Sequence, residues 1–425
     1  NRAIIGEILA LRAEKAKLLG FPTFAHWATD DQMAKTPDAA MALMTKLWAP
    51  AVARAREEVA DMQKIVDAEG GGFRIAPWDY RYYAEKVRRA RYDFDANAIK
   101  PYLDAEKIIE AAFWVAGRLY GFTFVAVQGV PVPVPDVRVF ELRRDGKPAG
   151  LLYLDLFARA GKQSGAWMSE YRTQERFKGE IAPIVSNNAN FVKAGEKVLL
   201  SWDDAVTIFH EFGHALHALN SNVDYPGLAG TSVARDFAEF PSQLNERWLF
   251  TPELLARFAR HYQTGEPMPD ALAAKIRNAQ KFNQGFATVE YLASAIVDMK
   301  AHLAGAAPVE ADAFEAETLK KIGMPDEIVM RHRLPHFTHI FSGEGYAAGY
   351  YSYIWADALV ADAAEAFRDA PGGFFDANMA KRLHDEIVSV GNSVDAGEAF
   401  RRFLGRDVSV DALMRDRGFP VAATG

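Results

Sequence analysis

The chain has 425 residues, half of them hydrophobic and a quarter charged, and this ordinary globular composition excludes a collagen-like or wholly disordered protein. Its formal net charge of −7 is too small to indicate a nucleic-acid or anionic-membrane partner, so a neutral or mixed-charge ligand fits better. The absence of Cys excludes disulfides, thiolate metal sites and cysteine nucleophiles. A metal site must therefore use His, Asp or Glu.

No apolar stretch is long enough to span a bilayer, and the first residues lack the basic and apolar segments of a secretory signal. We therefore expect a soluble protein in the cytoplasm, with the periplasm left open. The chain begins at Asn1, without Met, inside a predicted helix, which indicates a piece of a longer protein. We expect apolar helix faces near this start to be exposed unless a preceding segment of the same protein covers them.

The first 120 residues are predicted to be helical. Apolar residues recur at helical spacing from 3 to 20, and a second helix spans 37–69 and ends at three glycines. A third helix, 78–91, carries several Lys and Arg residues beside tyrosines. These cations form either a solvated face, which is the more common case, or a site for a substrate anion.

Residues 121–200 are predicted to form a small β-rich segment. Alternating sequence at 137–142 and 151–157 flanks Asp145-Gly146, which is typical of a hairpin, and a short strand is expected at 181–185. Helices then follow at 202–219, 233–250, 271–304 and 350–367. The predicted fold class is mainly α, with one small sheet before the most informative helix.

The helix at 202–219 contains the sequence His210-Glu-Phe-Gly-His214. Two His residues four positions apart leave the same face of an α-helix one turn apart, so both imidazoles can bind one Zn²⁺. Glu211 then lies beside the metal, where it can accept a proton from water that the metal activates. Two hydrogen-bonded core imidazoles are the weaker alternative, because the intervening Glu favours the metal site.

A catalytic zinc needs a third protein ligand, and Glu239 is the candidate. It lies between Ala238 and Phe240, where an unpaired charge is costly to bury unless a metal compensates it. Glu246 is an alternative ligand or an acceptor for an imidazole N–H. His217 lies on the same helix face as His210 but about 10 Å further along the axis, so we expect it in the core or in a supporting role.

A second cluster, from Leu334 to Trp355, is rich in Gly, Tyr and His. Its glycine spacing differs from that of a phosphate loop, and no strand precedes it, so a nucleotide site is disfavoured. A glycine-rich loop flanked by phenols and an imidazole is suited to donate hydrogen bonds to the oxyanion that forms when water attacks a peptide carbonyl. Packing in the core is the alternative for these aromatic residues, and it applies to some of them.

Together, these residues resemble the thimet oligopeptidase and neurolysin family of zinc metallopeptidases, most closely its bacterial dipeptidyl carboxypeptidase branch. The matching stretches lie at 209–217, 230–243, 282–286, 337–341 and 345–353, with weaker matches at 11–19 and 33–37. The resemblance implies a neurolysin-like helical ellipsoid with a deep substrate channel. Residues 1–120 would form the helical part of an incomplete N-terminal lobe, 121–200 a β-rich segment lining the cleft, and 201–425 the helical catalytic region with the zinc site.

The resemblance also implies roles for individual residues. It makes His210, His214 and Glu239 the ligands of one Zn²⁺ per chain, and Glu211 the general base. The catalytic contacts to the transition state would be His339, Tyr346 and Tyr353, and the substrate-binding residues would be Tyr350 and Arg235. The interval from His339 to Tyr346 is longer than in some relatives, and family members normally carry a further helical segment before the point where this chain starts.

The implied activity is zinc-dependent hydrolysis of short unstructured peptides, with release of C-terminal dipeptides. Two alternatives stay open. The same chemistry could cut within oligopeptides, and the chain could be an inactive peptide-binding fragment. Short peptides are the expected partners, and no nucleic-acid or membrane partner is expected.

Overall fold

The computed structural model describes residues 1–92, 96–193, 195 and 197–421. Most of these residues are helical, which confirms the predicted fold class. The α-helices, in chain order, are α1 Arg2–Leu18, α2 Phe24–Asp30, α3 Pro37–Ala68, α4 Pro77–Tyr92, α5 Ala96–Ile99, α6 Ala105–Tyr120, α7 Trp202–Asn220, α8 Arg235–Ala238, α9 Phe240–Leu249, α10 Pro252–Phe258, α11 Asp270–Ala279, α12 Gln284–Leu303, α13 Ala311–Lys321, α14 Thr338–Phe341, α15 Ser352–Asp369, α16 Ala377–Leu383, α17 Ala396–Leu404 and α18 Val410–Asp416. Within the described ranges, none of these helices is long and apolar enough to cross a bilayer.

One five-stranded sheet lies within the described residues. Its strands are β1 Phe122–Val127, β2 Arg138–Arg144, β3 Lys147–Phe157, β4 Trp167–Arg172 and β5 Ile184–Phe191, in the spatial order β1-β2-β3-β5-β4. β3 and β5 are parallel, and the other neighbouring strands are antiparallel. The predicted hairpin is confirmed as β2–β3, because Asp145 and Gly146 both have positive φ, as two-residue hairpin turns require.

The sheet extends beyond the strands expected from the sequence. β1 and β4 were not predicted. The strand predicted at 181–185 is instead β5, which begins at Ile184 and runs on to Phe191 through a polar Asn run. Side-chain hydrogen bonds make this run compatible with burial. The Asn187 Nδ2 donates to the Glu211 carbonyl at 2.6 Å, and the Asn188 Nδ2 donates to the Trp167 carbonyl at 3.1 Å. β5 is thereby tied directly to α7.

Two of the predicted long helices are each divided in two. The 233–250 helix breaks at Glu239 into α8 and α9, because Pro241 near the start of α9 has no N–H for a helical hydrogen bond. The 271–304 helix breaks before α12, where Asn283 has a φ of 60°. The first break gives Glu239 its position at a helix junction.

The buried apolar side chains form two clusters. We call one the sheet cluster, drawn mainly from the sheet, α6, α7, α9, α10 and α17, and the other the N-terminal cluster, drawn mainly from α1–α4, α12, α18 and residues 328–354. α15 belongs to both, with Leu359 and Phe367 in the sheet cluster and Ile354 and Ala358 in the N-terminal cluster. The motif helix α7 therefore packs in the sheet cluster, and residues 342–351, which we call the Tyr-rich loop, pack in the N-terminal cluster.

The helix α1 has an exposed apolar face, as the sequence predicted. Ile4, Leu11 and Leu18 lie on it, seven residues apart, and each is more than half exposed. The opposite face buries Ile5 and Leu9 in the N-terminal cluster.

Candidate metal centre

The motif helix α7 is defined locally at its start and packed tightly at its centre. The Ser201 Oγ accepts the Asp204 N–H at 3.1 Å, and the Asp204 carboxylate accepts the Ser201 N–H at 2.9 Å, which forms a capping box. At its centre, a Cβ on Gly213 would lie 2.6 Å from the Ser242 Cα. Glycine at this position therefore lets α7 approach α9 closely.

This close approach brings the three predicted zinc ligands together. One ligand atom each from His210, His214 and Glu239 lies within 4.8 Å of the other two, and no other His, Asp or Glu in the described part of the chain forms such a group. The Glu239 Oε2 is 3.3 Å from the His210 Nε2 and 3.2 Å from the His214 Nε2. Two imidazole nitrogens and one carboxylate are a donor set typical of catalytic zinc.

Glu246 orients His210 instead of joining the ligand group. Its Oε1 lies 2.7 Å from the His210 Nδ1, on the side of the ring opposite Glu239. A carboxylate here accepts the Nδ1–H and turns the Nε2 toward Glu239. Burial alone would lower the pKa of His210, but the hydrogen bonds to Glu239 and Glu246 raise it to about 10.

Glu239 is held by hydrogen bonds from α9 and from the two imidazoles of α7. Its carboxylate accepts a hydrogen bond from the Ser242 Oγ at 3.2 Å. Burial by itself raises the pKa of Glu239, but hydrogen bonds to the two imidazoles outweigh that effect and hold the pKa well below its usual range. The carboxylate is therefore the anionic centre of the group.

Glu211 lies on α7 between the two His residues, and one of its carboxylate oxygens has no hydrogen-bond partner among the described residues. The residue is 7% exposed, and this oxygen is Oε2. Burial raises the pKa of the carboxyl group. An unpartnered buried carboxylate is costly, and this one lies beside the His210, His214 and Glu239 group.

The Tyr-rich loop reaches the ligand group through Tyr346. Its hydroxyl donates to the Glu239 Oε1 at 3.4 Å, and its ring stacks on Tyr353 with ring centroids 5.5 Å apart. The His339 ring lies 5.9 Å from Tyr346, and the His339 Nδ1 has no hydrogen-bond partner among the described residues. Burial raises the pKa of both tyrosines. These phenols therefore keep their protons and can donate hydrogen bonds.

The two predicted substrate-binding residues differ in their surroundings. The Tyr350 ring is only 3% exposed and packs against Phe337 and His339. Arg235 is half-buried, and its guanidinium carbon lies 4.7 Å from the centroid of the Tyr346 ring. No carboxylate in the described part of the chain lies within ion-pair distance of Arg235.

The structure adds two residues that sequence reasoning missed. The Asn245 Nδ2 donates to the Phe209 carbonyl at 2.7 Å, and the Asn187 Nδ2 donates to the Glu211 carbonyl at 2.6 Å. The two amides hold the backbone of the motif turn from α9 and from β5. Asn245 could have been found from its place next to Glu246, whereas Asn187 lies in a run that resembled a loop.

Two further sequence expectations concern residues near this centre and on α4. His217 is fully buried, lies outside the ligand group and has a pKa lowered to about 3 by burial, which confirms its expected place in the core. The α4 cations have carboxylate partners: Lys86 pairs with Glu69 at 2.6 Å, and Arg89 pairs with Glu85 at 2.8 Å. This pairing supports the solvated-face interpretation of α4.

Comparison with known proteins agrees with this geometry. The model of peptidase family M3 matches residues 1–419. The chain is 42% identical to a dipeptidyl carboxypeptidase of Escherichia coli (strain K12), covering 99% of this chain and 62% of that relative. It is 37% identical to an oligopeptidase A of the same strain, covering 98% of this chain and 62% of that relative. The chain thus spans less than two thirds of the length of these curated relatives.

A solved structure shows the same fold at low sequence identity. The M32 carboxypeptidase from Deinococcus radiodurans R1 has a TM-score of 0.59 and 15% identity, over 97% of this chain and 73% of that chain. At this identity the likeness concerns the fold alone. The family assignment depends on the family model, which covers nearly the whole chain including α7, α8 and the Tyr-rich loop. The chain therefore belongs to peptidase family M3.

Proposed function

We propose that the protein is a zinc-dependent peptidase that hydrolyses short unstructured peptides and releases dipeptides from their C-termini. The observation that carries this proposal is the convergence of His210, His214 and Glu239 beside the unpartnered carboxylate of Glu211. Membership of a peptidase family, and the names of the two bacterial relatives, support a peptidase.

The residues at the centre fit the metal that the family implies. His210, His214 and Glu239 would hold it, because two imidazole nitrogens and a carboxylate oxygen suit Zn²⁺ and leave room for water or substrate. The Glu246 hydrogen bond to the far nitrogen of His210 is the usual support for a ligating imidazole. When bound, a zinc ion supplies Lewis-acid polarisation of the substrate carbonyl and lowers the pKa of water.

Glu211 would act as the general base and then as the general acid. Its free oxygen accepts a proton from the attacking water and later delivers it to the leaving amine nitrogen as the C–N bond breaks. Tyr346 and Tyr353 would donate hydrogen bonds to the oxyanion on the attacked carbonyl, since the Tyr346 hydroxyl lies beside Glu239. His339, whose ring lies beside that of Tyr346, would be a further donor.

Arg235 would provide the preference for a free C-terminus. It has no carboxylate partner among the described residues and lies over the Tyr346 ring, so it can bind the substrate's terminal carboxylate. A C-terminal dipeptide spans about 7 Å when extended. Arg235 lies against the ring whose hydroxyl contacts Glu239, so the cation is close to the candidate metal centre. Tyr350 is buried and would hold the His339 and Tyr353 rings in place by packing against them. The similarity to oligopeptidase A keeps endo-cleavage as the second candidate.

The test of the chemistry is Glu211→Gln, assayed for zinc content and for hydrolysis of an internally quenched peptide. We expect unchanged zinc stoichiometry and a kcat lower by at least about 100-fold, because a base is lost and no ligand is removed. Glu253→Gln, at an exposed position on α10, is the matched control. Equal rates for wild type and Glu211→Gln would exclude the proposed base. A zinc-loaded wild type without any hydrolysis would indicate the inactive fragment.

The test of the cleavage mode compares a peptide with a free C-terminus and the same peptide amidated. We expect the free acid to be cut at least about tenfold faster, and Arg235→Gln to remove most of this difference, because one charge-assisted hydrogen bond is worth about 1.5 to 3 kcal/mol. Arg277→Gln, exposed on α11, is the control. Equal cleavage of acid and amide by the wild type would favour the endo-acting alternative.

A further inference from the structure

The loop that carries Tyr346 donates two backbone hydrogen bonds to a buried carboxylate that the proposed chemistry does not use. Asp298 on α12 is fully buried. Its Oδ1 accepts the Ala348 N–H at 2.9 Å, and its Oδ2 accepts the Tyr350 N–H at 3.0 Å. Both oxygens of one ion are thus used on two backbone amides of the same loop, in hydrogen bonds that are stronger than neutral ones.

The backbone is strained at the first of these two hydrogen-bonded residues. Ala348 has a φ of 55°, which is in the left-handed region that residues with a Cβ rarely adopt. Such a conformation persists only where its surroundings enforce it, and it is common at functional sites. The Asp298 hydrogen bond to the Ala348 N–H provides this enforcement at the strained residue itself.

The carboxylate is itself oriented by a polar chain that ends on the same loop. The Arg12 guanidinium can only donate, so its 3.0 Å contact makes the His302 Nε2 an acceptor and places the ring hydrogen on Nδ1. The His302 Nδ1 lies 2.9 Å from the Asp298 backbone carbonyl, which accepts its hydrogen, and 2.9 Å from the Asp298 Oδ1. The second Arg12 nitrogen donates to the Gly343 carbonyl at 2.7 Å. α1 and α12 therefore hold the loop at both ends.

We propose that Asp298 is a positioning residue, whose buried carboxylate fixes the backbone from Ala348 to Tyr350 and thereby directs Tyr346 and Tyr353 toward the reacting carbonyl. This inference rests on the proposed function for its catalytic consequence. The Tyr346 hydroxyl is 3.4 Å from Glu239, so a small displacement of the loop removes it from the ligand group. Misplacement by about 1 Å can reduce a rate by about 100-fold.

The first test is Asp298→Asn, which has the same shape but presents an N–H group to one of the two amides. We expect kcat to fall by about 10- to 100-fold while KM changes by less than about threefold, since the tyrosines act in the transition state. Asp362→Asn is the matched control. Asp362 is equally buried, accepts from Arg406 and from the Ser409 N–H, and lies outside the loop. We expect it to lower the Tm without this loss of kcat.

A mutant cycle with the paired change Tyr346→Phe and Tyr353→Phe separates positioning from general damage. If Asp298 acts through these two tyrosines, Asp298→Asn has little further effect on kcat once both hydroxyls are gone. Independent, multiplying losses would overturn the proposal, as would a folded Asp298→Asn enzyme with full kcat. Arg12→Lys, whose single nitrogen cannot occupy both guanidinium positions that contact His302 and Gly343, gives a second variant with a smaller loss in the same direction.

A measurement without substrate distinguishes failure of this inference from failure of the proposed function. In hydrogen exchange followed by mass spectrometry, we expect the 343–351 peptide to exchange at least about tenfold faster in Asp298→Asn than in wild type or Asp362→Asn, with α7 unchanged. Unchanged exchange in that peptide would overturn the positioning role. If Asp298→Asn exchanges faster in that peptide but the wild-type protein hydrolyses no peptide, the positioning role is supported and only the proposed function is rejected.

Discussion

At the scale of single residues, the candidate metal centre depends on what His210 contacts on the two sides of its ring. His210 contacts Glu239 through one ring nitrogen and Glu246 through the other. The Glu246 carboxylate faces the His210 Nδ1, whereas the Glu239 carboxylate faces the Nε2 atoms of both His210 and His214, and the two residues are seven positions apart in the chain. The sequence left both as possible ligands, and the geometry separates their roles because only one carboxylate lies near both Nε2 atoms.

We predict that Glu246→Ala weakens metal binding without removing a ligand. Loss of the acceptor at the His210 Nδ1 leaves the ring less well oriented, and such supporting contacts are typically worth 10- to 100-fold in affinity, so we expect the zinc Kd to rise by about that factor. Competition with a chromophoric chelator at fixed pH measures it. Glu253→Ala serves as control, and an unchanged Kd in Glu246→Ala would contradict the supporting role.

At the scale of elements, the site depends on how closely α7 and α9 pack. A Cβ at Gly213 would meet the Ser242 Cα at 2.6 Å and the Pro241 carbonyl at 2.9 Å, and these are backbone atoms that cannot rotate away. Pro241 also causes the break that frees Glu239 from a regular helix. One short segment therefore provides the ligand, the break beside it and the surface against which α7 packs.

We predict that Gly213→Ala destabilises the protein and weakens metal binding. In a free helix the change would be stabilising by up to about 1 kcal/mol, but overpacking against α9 costs about 1 to 3 kcal/mol and moves Glu239 away from the imidazoles. Thermal unfolding and a zinc titration measure the two effects. Gly227→Ala, where a Cβ meets nothing within 4 Å, is the control. A Gly213→Ala protein as stable as wild type would show that the two helices can separate at little cost.

The elements themselves were predictable where their signals are local. α7 agrees with its predicted bounds to within a residue because its capping box lies in the sequence that it caps. The breaks at Glu239 and Asn283 were missed because apolar periodicity continues on both sides of each break. β4 and the polar end of β5 were missed because their stability comes from partners in β3 and α7, which are distant in sequence.

At the scale of the whole molecule, the two clusters of buried side chains meet along α15. This helix buries Leu359 in the sheet cluster and Ala358, the adjacent residue, in the N-terminal cluster. The helices that carry the metal-ligand group pack in the sheet cluster, and the Tyr-rich loop packs in the N-terminal cluster. The predicted division into 1–120, 121–200 and 201–425 stays a prediction.

We predict that the two clusters unfold together. Because α15 is shared, loss of one cluster exposes apolar surface of the other, and Leu359→Ala should shift the whole transition down by about 2 to 5 °C. Urea-dependent hydrogen exchange should give the same midpoint for peptides from α3 and from α7. Two separate midpoints, with Leu359→Ala moving only that of α7, would contradict this coupling. Ile4→Ala, on the exposed face of α1, is the control.

Spacing and capping within a few residues were enough to predict the mainly α class, the hairpin turn and the placement of two imidazoles with Glu211 on one helix. The packing of the helices was needed to show that Glu239 joins those imidazoles and that Glu246 does not, because this follows from the distance between α7 and α9. It was also needed to show that Asp298 holds a loop 50 residues further along the chain. Contacts between distant segments depend on packing of the whole molecule, which no local pattern encodes.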